Sequence, residues 1–330
     1  MEYSNGYTFI IDIPKFIGQN SEGNLLSLNV GNSFSGSSNS DFRKALLGTI
    51  GEGMERQILY DSNVENNLNL NCINLFTNKI ESIPVNQHTK KFFFDTCGLA
   101  THLSTSNALE NALGEFIERQ SFIFTYLSKR KVKKVIKNNF FKEIIPDFLH
   151  DLKFYEISLI SSYKVFFSIG LLNTSIVIGL GAGYTDEEAL SKLAKEISSF
   201  SPHGSIKAID GERYDYIHLF HMLPIENIIR AYQFLETSIN IYEPKKEKVP
   251  KQDEVLDELN RLWGMEPMCT ALMNDHYNTS RYTYSKNIKV FDLTWFPSLN
   301  LPTFTDEIYD SVETKGNCIL DRSANFIPFP

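Results

Sequence analysis

One short pattern of acidic and basic residues occurs twice in this chain. Gly-Glu-Gly-Met-Glu-Arg at residues 51–56 is followed by Gly-Glu-Phe-Ile-Glu-Arg at residues 114–119. Each copy closes a segment with the apolar periodicity of an amphipathic helix, in which residues three or four apart share a face at about 5–6 Å. Each helix therefore presents two carboxylates and a guanidinium together. If the helices face each other, four carboxylates converge, an arrangement suited to Mg²⁺ ions that hold a nucleoside triphosphate.

The same pattern has a simpler interpretation. A single Glu-x-x-Glu-Arg is common on a solvated helix face, where an exposed ion pair contributes about 0–1 kcal/mol. In that case the glutamates would be exposed and far from one another. Two copies that share the same Gly-Glu start after small and apolar residues favour a shared metal or phosphate site.

The elements that position these residues follow from the hydrophobic pattern. Asp41 is a candidate N-cap for a helix that runs to about Tyr60, and a second long helix is predicted over 106–127. The Ser/Gly-rich stretch 33–40 predicts a loop, and Phe92–Phe94 predicts a strand.

Further along the chain, two strands at 165–172 and 175–180 form a predicted hairpin, and a third helix begins near Asp186 and includes Glu196. Helices inserted between strands predict an α+β fold, that is, a mixed α/β fold of two layers. The repeated Gly-Glu pattern indicates a possible internal duplication.

Composition excludes several classes of protein. The 330 residues are 42% hydrophobic, enough for a sizeable core, and the net charge of −8 argues against nucleic acid as a partner. The four cysteines form no Cys-x-x-Cys pair, which indicates reduced thiols of a cytosolic protein. The first dozen residues lack a basic region typical of a signal peptide. Polar residues interrupt the longest apolar stretch, 165–183, so we expect no membrane span and a cytoplasmic location.

Other motifs favour structural roles. Gly-Leu-Gly-Ala-Gly at 179–183 lacks the Gly-x-Gly-x-x-Gly spacing of dinucleotide-binding proteins. His218 and His221 have no obvious third ligand, so satisfied histidines are favoured over a zinc site. Cys97 is better explained as a small buried thiol than as a nucleophile. The basic run 129–137 is typical of a solvated helix end, with a docking patch for an acidic peptide as the alternative.

Four segments together resemble the YcaO family. They are residues 44–56 and 95–120, which contain the two glutamate motifs, residues 181–196, and the terminal Pro-Phe-Pro at 328–330. Each is modest alone, and the set in this order is specific. It covers most of 33–200 plus the tail. The Thr-Cys-Gly start of the second segment and the Phe-Pro ending are most similar to the cyclodehydratase component of microcin-type thiazole/oxazole synthetases.

The resemblance implies a fold and an activity. The fold would be a single YcaO-like domain over 1–330, with a glutamate-helix core at about 33–200, a C-terminal part at 201–330 and no separate leader-recognition domain. The activity would be ATP-dependent cyclodehydration of a ribosomal precursor peptide. A Cys, Ser or Thr side chain attacks the preceding backbone carbonyl, the oxyanion takes the γ-phosphoryl group of ATP, and loss of phosphate leaves a thiazoline or oxazoline ring.

The resemblance also implies roles for individual residues. Two glutamates from each of the first two helices would bind Mg²⁺ and the nucleotide: Glu52, Glu55, Glu115 and Glu118. Arg119 would contact phosphate and assist catalysis, and Glu196 would complete the nucleotide site. Pro328 and Pro330 would act in catalysis by placing the C-terminal backbone near the reacting peptide. We therefore expect a C-terminal tag to abolish cyclisation.

The expected partners are a ribosomal precursor peptide, a leader-recognising protein and a flavin-dependent dehydrogenase of the same complex, around a homodimeric core. Three departures from the family pattern keep other interpretations open. Ser38 lies where a Gly-Lys-Gly lysine is often found, Asn107 replaces an acidic residue, and Ser199 replaces a glutamine. The alternatives are a YcaO-type thioamide- or amidine-forming enzyme and a catalytically weak scaffold subunit.

Overall fold

The computed structural model of the chain describes residues 15–20, 23–30, 33–39, 42–61, 68–172, 174–199, 216–272 and 286–330. Strands and helices are interspersed along them, which confirms the predicted mixed α/β class. The chain divides into two compact units, Met1–Phe116 with Pro267–Leu293 and Ile117–Glu266 with Thr294–Pro330. The single domain over 1–330 stays a prediction, and Asp41 lies outside the described residues.

The first unit contains a three-stranded antiparallel sheet, β1 (Lys15–Asn20), β2 (Gly23–Val30) and β3 (Ser33–Asn39). The loop predicted over 33–40 is wrong, because this stretch is strand β3. Its pairing with β2 runs without a break from Asn24↔Asn39 to Val30↔Ser33, and this ladder overrides the low strand propensity of Ser and Gly. The first glutamate helix, α1 (Phe42–Asp61), packs against β2 and β3.

A five-stranded antiparallel sheet completes the first unit, in the order β5-β4-β12-β13-β6. Its strands are β4 (Asn69–Asn74), β5 (Lys79–Pro84), β6 (Leu99–His102), β12 (Met268–Ala271) and β13 (Lys286–Phe291). Between β5 and β6 lie α2 (Gln87–Lys90) and a 3₁₀ helix, Lys91–Phe93, so the strand predicted at Phe92–Phe94 is wrong. Phe92 and Phe93 are buried beside Phe291, which explains the apolar run.

The second unit is built on a five-stranded sheet in the order β10-β9-β8-β7-β11. Its strands are β7 (Lys133–Val135), β8 (Lys153–Glu156), β9 (Lys164–Leu172), β10 (Ser175–Gly183) and β11 (Asn240–Tyr242). Only β11 and β7 pair in parallel among these described strands. The predicted hairpin is confirmed as β9–β10, which pair from Ser175↔Leu172 to Gly183↔Lys164.

Both faces of this second sheet are covered. On one face, α5 (Asp186–Ser199) packs against β10 and β9, with Leu193 and Phe166 in the shared core. On the other face, the second glutamate helix α3 (Thr105–Ser128) stacks Phe122 on Phe167 of β9, with 5.5 Å between ring centroids. The sheet therefore supports the C-terminal half of α3 and the whole of α5.

The remaining helices are α4 (Asn139–Ile144), α6 (Tyr216–Met222), α7 (Ile225–Ala231), α8 (Gln252–Trp263) and α9 (Asp306–Gly316). Short 3₁₀ helices lie at Asp147–Leu149, Gln233–Thr237 and Leu301–Thr303. Across the described part of the chain, no helix combines the length and apolarity that a bilayer span requires.

Candidate functional site

The first glutamate helix is fixed to strand β6 through Glu55. The Glu55 carboxylate accepts a hydrogen bond from the Thr101 backbone N–H, with 2.6 Å between Oε1 and N. A Cβ at Gly51, one turn earlier, would lie 3.9 Å from the Thr101 carbonyl oxygen, so the helix runs close to the strand. Glu52 and Glu55 are both half-buried. Since β6 is an edge strand, Glu55 satisfies an amide that has no neighbouring strand on that side.

The second glutamate helix buries the end of its motif. The Glu118 and Arg119 side chains are only 13% and 17% exposed, and 3.7 Å separates Oε1 of Glu118 from Nη1 of Arg119. Burial raises the pKa of the Glu118 carboxyl, while the positive charges of Arg119 and Lys192 partly lower it. Glu115 lies one turn earlier and is half-buried. Perturbed carboxyls of this kind are common at functional sites.

The end of the chain packs against this helix in the second unit. The Phe329 ring is 2% exposed and lies 4.9 Å from the Phe122 ring, and the Arg119 guanidinium lies over it at 5.0 Å from the ring centroid. The carbonyl oxygen of Pro328 accepts a 2.7 Å hydrogen bond from the Tyr232 hydroxyl. The structure therefore brings together Glu118, Arg119 and the terminal Pro-Phe-Pro.

The third glutamate helix, α5, begins with side-chain capping that resembles a capping box, with the glutamate bonded to the residue before the N-cap. The Thr185 hydroxyl accepts from the Glu188 N–H at 3.2 Å, and the Glu188 carboxylate accepts from the Tyr184 N–H at 3.0 Å. Glu196 lies in the last turns of this helix and is half-buried. Lys192, one turn before Glu196, forms a 2.7 Å ion pair with Glu188. Its positive charge also partly lowers the raised pKa of the Glu118 carboxyl.

Three residues that lie beside the candidate site residues were not identified from the sequence: Lys192, Phe329 and Tyr232. Lys192 had a weak signal, because it is four residues from both Glu188 and Glu196 on a predicted helix. Phe329 lay between two proposed prolines, and nothing in the sequence joined Tyr232 to Pro328, 96 positions away. Contacts of this kind depend on the fold.

The predicted residues are shared between the two compact units. Glu52, Glu55 and Glu115 belong to the first unit, whereas the second unit contains the others: Glu118, Arg119, Glu196, Pro328 and Pro330. Of the positions that depart from the family pattern, Ser38 lies on strand β3, Asn107 is exposed in the first turn of α3, and Ser199 is the last residue of α5.

The donor set suits a metal that arrives with phosphate. Among the described residues, no group of three or more His, Cys, Asp or Glu side chains is placed to hold a metal ion. Mg²⁺ typically takes only one or two carboxylates from the protein and fills its octahedral shell with phosphate and water oxygens. Within the second unit, the Glu118 carboxyl is one oxygen ligand of the kind that Mg²⁺ takes from a protein, whereas a site made of protein ligands alone would need more.

The other motifs have structural explanations. The thiol of Cys97 is buried and donates a 3.3 Å hydrogen bond to the Asp95 carboxylate, so it has a structural explanation. In the basic run, Lys133 pairs with Glu156 at 3.0 Å, and the Lys129 ammonium lies 3.6 Å from the Tyr126 ring centroid. These lysines therefore have partners within their own unit, which favours the structural role over a docking patch.

No protein-family model matches the chain, and no curated protein sequence matches it. Solved structures do. A chain of the E. coli microcin synthetase McbBCD complex with pro-MccB17 bound superposes with a TM-score of 0.64 at 16% identity, covering 93% of both chains. YcaO from Methanopyrus kandleri bound with AMPPCP and Mg²⁺ has a TM-score of 0.64 at 12% identity, over 86% of this chain and 84% of that one.

The chain has a YcaO-like fold. A heterocyclase in complex with substrate and cofactor also matches, with a TM-score of 0.63 at 10% identity, over 93% of this chain but 52% of the larger protein. The three glutamate helices identified from the sequence are present in the structure as α1, α3 and α5. The resemblance stated from those helices is confirmed at the level of the fold.

Proposed function

We propose that this protein is the ATP-dependent cyclodehydratase subunit of a multi-subunit azole synthetase that acts on a ribosomal precursor peptide. The observation that carries the proposal is the buried Glu118–Arg119 pair beside the terminal Pro-Phe-Pro, in a YcaO-like fold. The neighbours that support it include a synthetase complex with its pro-peptide and a YcaO protein with AMPPCP and Mg²⁺.

In this proposal each group has a defined task. Glu52, Glu55, Glu115 and Glu118 would hold Mg²⁺ and the nucleotide, with Glu196 completing the site. Bound Mg²⁺ would neutralise charge on the phosphates during phosphoryl transfer. Arg119 would hold a phosphate oxygen through its guanidinium N–H donors. Thr101 would keep Glu55 in place through its backbone N–H.

The chemistry balances as a loss of water assisted by ATP. The Cys, Ser or Thr side chain of the peptide forms a bond to the preceding carbonyl carbon and loses its proton. The carbonyl oxygen takes the γ-phosphoryl group and ADP leaves. The C–O bond then breaks with release of phosphate, while the amide nitrogen loses its proton and forms the C=N bond of the ring, which remains in the peptide. Phosphorylation is needed because an amide oxygen alone is a very poor leaving group. The terminal Pro328 and Pro330 would place the chain end near the reacting peptide.

The test combines ATP hydrolysis with peptide mass. The purified chain, its partner proteins and candidate precursor peptide are incubated with Mg²⁺ and ATP, and phosphate release and peptide mass are followed. We expect the loss of one water per ring, coupled to phosphate release. A product with sulfur in place of oxygen would favour thioamide formation, and an unchanged peptide with no bound nucleotide would favour the scaffold.

Matched variants assign the glutamates. Glu115→Gln and Glu55→Gln retain side-chain shape, and the amide oxygen introduced by Glu55→Gln can still accept from the Thr101 N–H. The fold should therefore remain while ATP turnover falls by roughly 100-fold or more. Glu110→Gln on the same helix α3 is the control, because Glu110 is exposed and outside the motif. Turnover at the wild-type rate in Glu115→Gln would remove Glu115 from the site.

A further inference from the structure

The Arg119 guanidinium is held between a carboxylate and an aromatic ring. Glu118 lies on one side, 3.7 Å from Nη1, and the Phe329 ring lies below the guanidinium carbon at 5.0 Å. The Phe329 ring is itself fixed by Phe122, at 4.9 Å. A ring attracts a guanidinium through its quadrupole but adds no negative charge. The contact therefore limits where Arg119 can point without neutralising its positive charge.

The position of Phe329 depends on the residue before it. The Pro328 carbonyl accepts a 2.7 Å hydrogen bond from the hydroxyl of Tyr232, whose side chain is 3% exposed. The Tyr232 ring packs on Phe167 of strand β9, with 5.0 Å between centroids. Burial raises the pKa of Tyr232 well above its ordinary value of 10, so the hydroxyl keeps its proton and remains a donor. The Pro328 carbonyl is thus bound by a side chain that packs on the sheet.

We propose that Phe329 is a positioning residue that orients the Arg119 guanidinium for phosphate, and that Tyr232 keeps Phe329 in register by holding the Pro328 carbonyl. The inference rests on the proposed function in one respect, the contact of Arg119 with nucleotide phosphate. It assigns a task to the middle residue of the terminal Pro-Phe-Pro. The tail then contributes to the site through the arginine as well as through its own backbone.

Aromatic character should matter more than apolar volume. Phe329→Leu keeps a buried apolar side chain and removes the ring, whereas Phe329→Tyr keeps the ring. We expect Phe329→Leu to weaken binding of Mg²⁺·AMPPCP about tenfold, from the usual strength of a buried cation–π contact, and Phe329→Tyr to restore most of it. Tyr232→Phe removes one hydroxyl and should give a smaller loss in the same direction.

Two measurements separate this inference from the proposed function. Isothermal titration gives the dissociation constant for Mg²⁺·AMPPCP. The ¹H–¹⁵N signal of the Arg119 Nε–H, assigned by its loss in Arg119→Lys, reports the ring current of Phe329 without any activity. We expect that signal to move in Phe329→Leu and in Tyr232→Phe. The control is Tyr126→Phe, which removes a hydroxyl from the same aromatic cluster while Tyr232 keeps the hydroxyl that binds Pro328, and it should leave both measurements unchanged.

The outcomes are distinct. An unmoved Arg119 signal in Phe329→Leu would overturn the inference and leave the proposed function standing. Equal weakening in Phe329→Leu and Phe329→Tyr would also overturn it, because packing alone would then explain the loss. A moved signal with unchanged affinity would support the orienting contact and contradict the phosphate role of Arg119. Thermal melting of each variant checks that it is folded. If Phe329→Leu does not fold, Tyr232→Phe replaces it as the test, and an unmoved Arg119 signal in that variant would overturn the inference.

Discussion

At the scale of single residues, Glu118 is the clearest departure from a solvated acidic helix. A surface Glu-x-x-Glu-Arg would leave its carboxylate in water, but the Glu118 side chain is 13% exposed and burial raises its pKa. The adjacent Arg119 offsets only part of that cost, because burial is the larger influence. Perturbed carboxyls of this kind are common at functional sites, where stability is often lower than the fold alone would allow.

This gives a pH prediction for Glu118→Gln. A carboxyl whose pKa is raised above its ordinary value of 4.5 by folding stabilises the protein fully below that value, and the contribution is lost as the pH rises through the folded pKa. Without ligand, the variant should therefore unfold at a higher temperature than wild type at pH 8. The difference should shrink as the pH falls toward 4.5.

Thermal melts of both proteins across this pH range check the prediction, since titrations elsewhere in the chain cancel in the difference. Glu110→Gln, on the exposed face of α3, should follow wild type at every pH. A variant less stable than wild type at pH 8 would show that the ion pair with Arg119 outweighs burial.

The sequence predicted the residue types of this site and their helices, but only part of their surroundings. Glu118 and Arg119 were identified because the pattern repeats and because a helix places them one turn after Glu115. Their burial, and the contact with Phe329, could not be predicted. Those depend on residues more than 200 positions away that meet only in the folded chain.

At the scale of elements, strand β6 and the turn before it set the position of the first glutamate helix. Lys289 of β13 is fully buried, and its ammonium donates to the carbonyl oxygens of Asp95, at 3.0 Å, and Cys97. Those residues lead directly into β6, whose Thr101 amide binds Glu55. A buried cation thus fixes the turn that precedes the strand to which α1 is attached.

Replacing Lys289 should therefore destabilise the protein. Lys289→Met keeps an apolar stem of similar length but leaves two carbonyl groups without their donor, and we expect a loss of about 2–3 kcal/mol in the free energy of unfolding. Lys286→Met on the same strand is the control, because Lys286 is exposed, and should change stability by less than about 0.5 kcal/mol. Urea unfolding measures both, and equal values would show that the turn does not depend on Lys289.

Elements with a strong periodic pattern were predicted well. Helix α3 extends over Thr105–Ser128 against a predicted 106–127, and the β9–β10 hairpin lies where apolar runs flank a turn. The stretch 33–40 failed because Ser and Gly have low strand propensity and pairing with β2 decided its conformation. The strand predicted at Phe92–Phe94 was wrong because so short an apolar run is equally consistent with a 3₁₀ helix, in which Phe92 and Phe93 are buried, followed by the exposed Phe94.

At the scale of the whole molecule, the fold persists where the sequence does not. Identities with the matching structures are only 10–16% and no family model matches the chain, yet TM-scores stay near 0.64 over most of it. The resemblance to the YcaO family could be stated from the sequence because three glutamate-containing segments and the Pro-Phe-Pro tail occur in the order typical of that family. Fold-level likeness does not determine the reaction, which depends on the site.

Ligand binding by the whole chain gives a test that needs no peptide. Mg²⁺·ATP present at 100 times its dissociation constant stabilises a folded protein by about 2.7 kcal/mol, which for a chain of this size is about 4 °C in melting temperature. We expect this shift in wild type, and a much smaller one with ATP and excess EDTA or in Glu118→Gln. The measurement is a thermal melt at fixed pH, and equal melting temperatures with and without Mg²⁺·ATP would count against a nucleotide site.

Strand β10 contains the glycines that resembled a dinucleotide fingerprint, and the structure gives them a different meaning. A Cβ at Gly181 would lie 2.3 Å from the carbonyl oxygen of Ala189 and 2.4 Å from the amide nitrogen of Leu193, both in the backbone of α5. Gly179 faces the same helix, two residues earlier. Dinucleotide-binding proteins space their glycines around a turn that wraps a phosphate. Glycines at every second position of a strand lie on one face of the sheet, and here that face packs directly against the backbone and side chains of α5. Their spacing therefore indicates close packing of a helix on a strand, whereas a phosphate-binding turn has a different spacing.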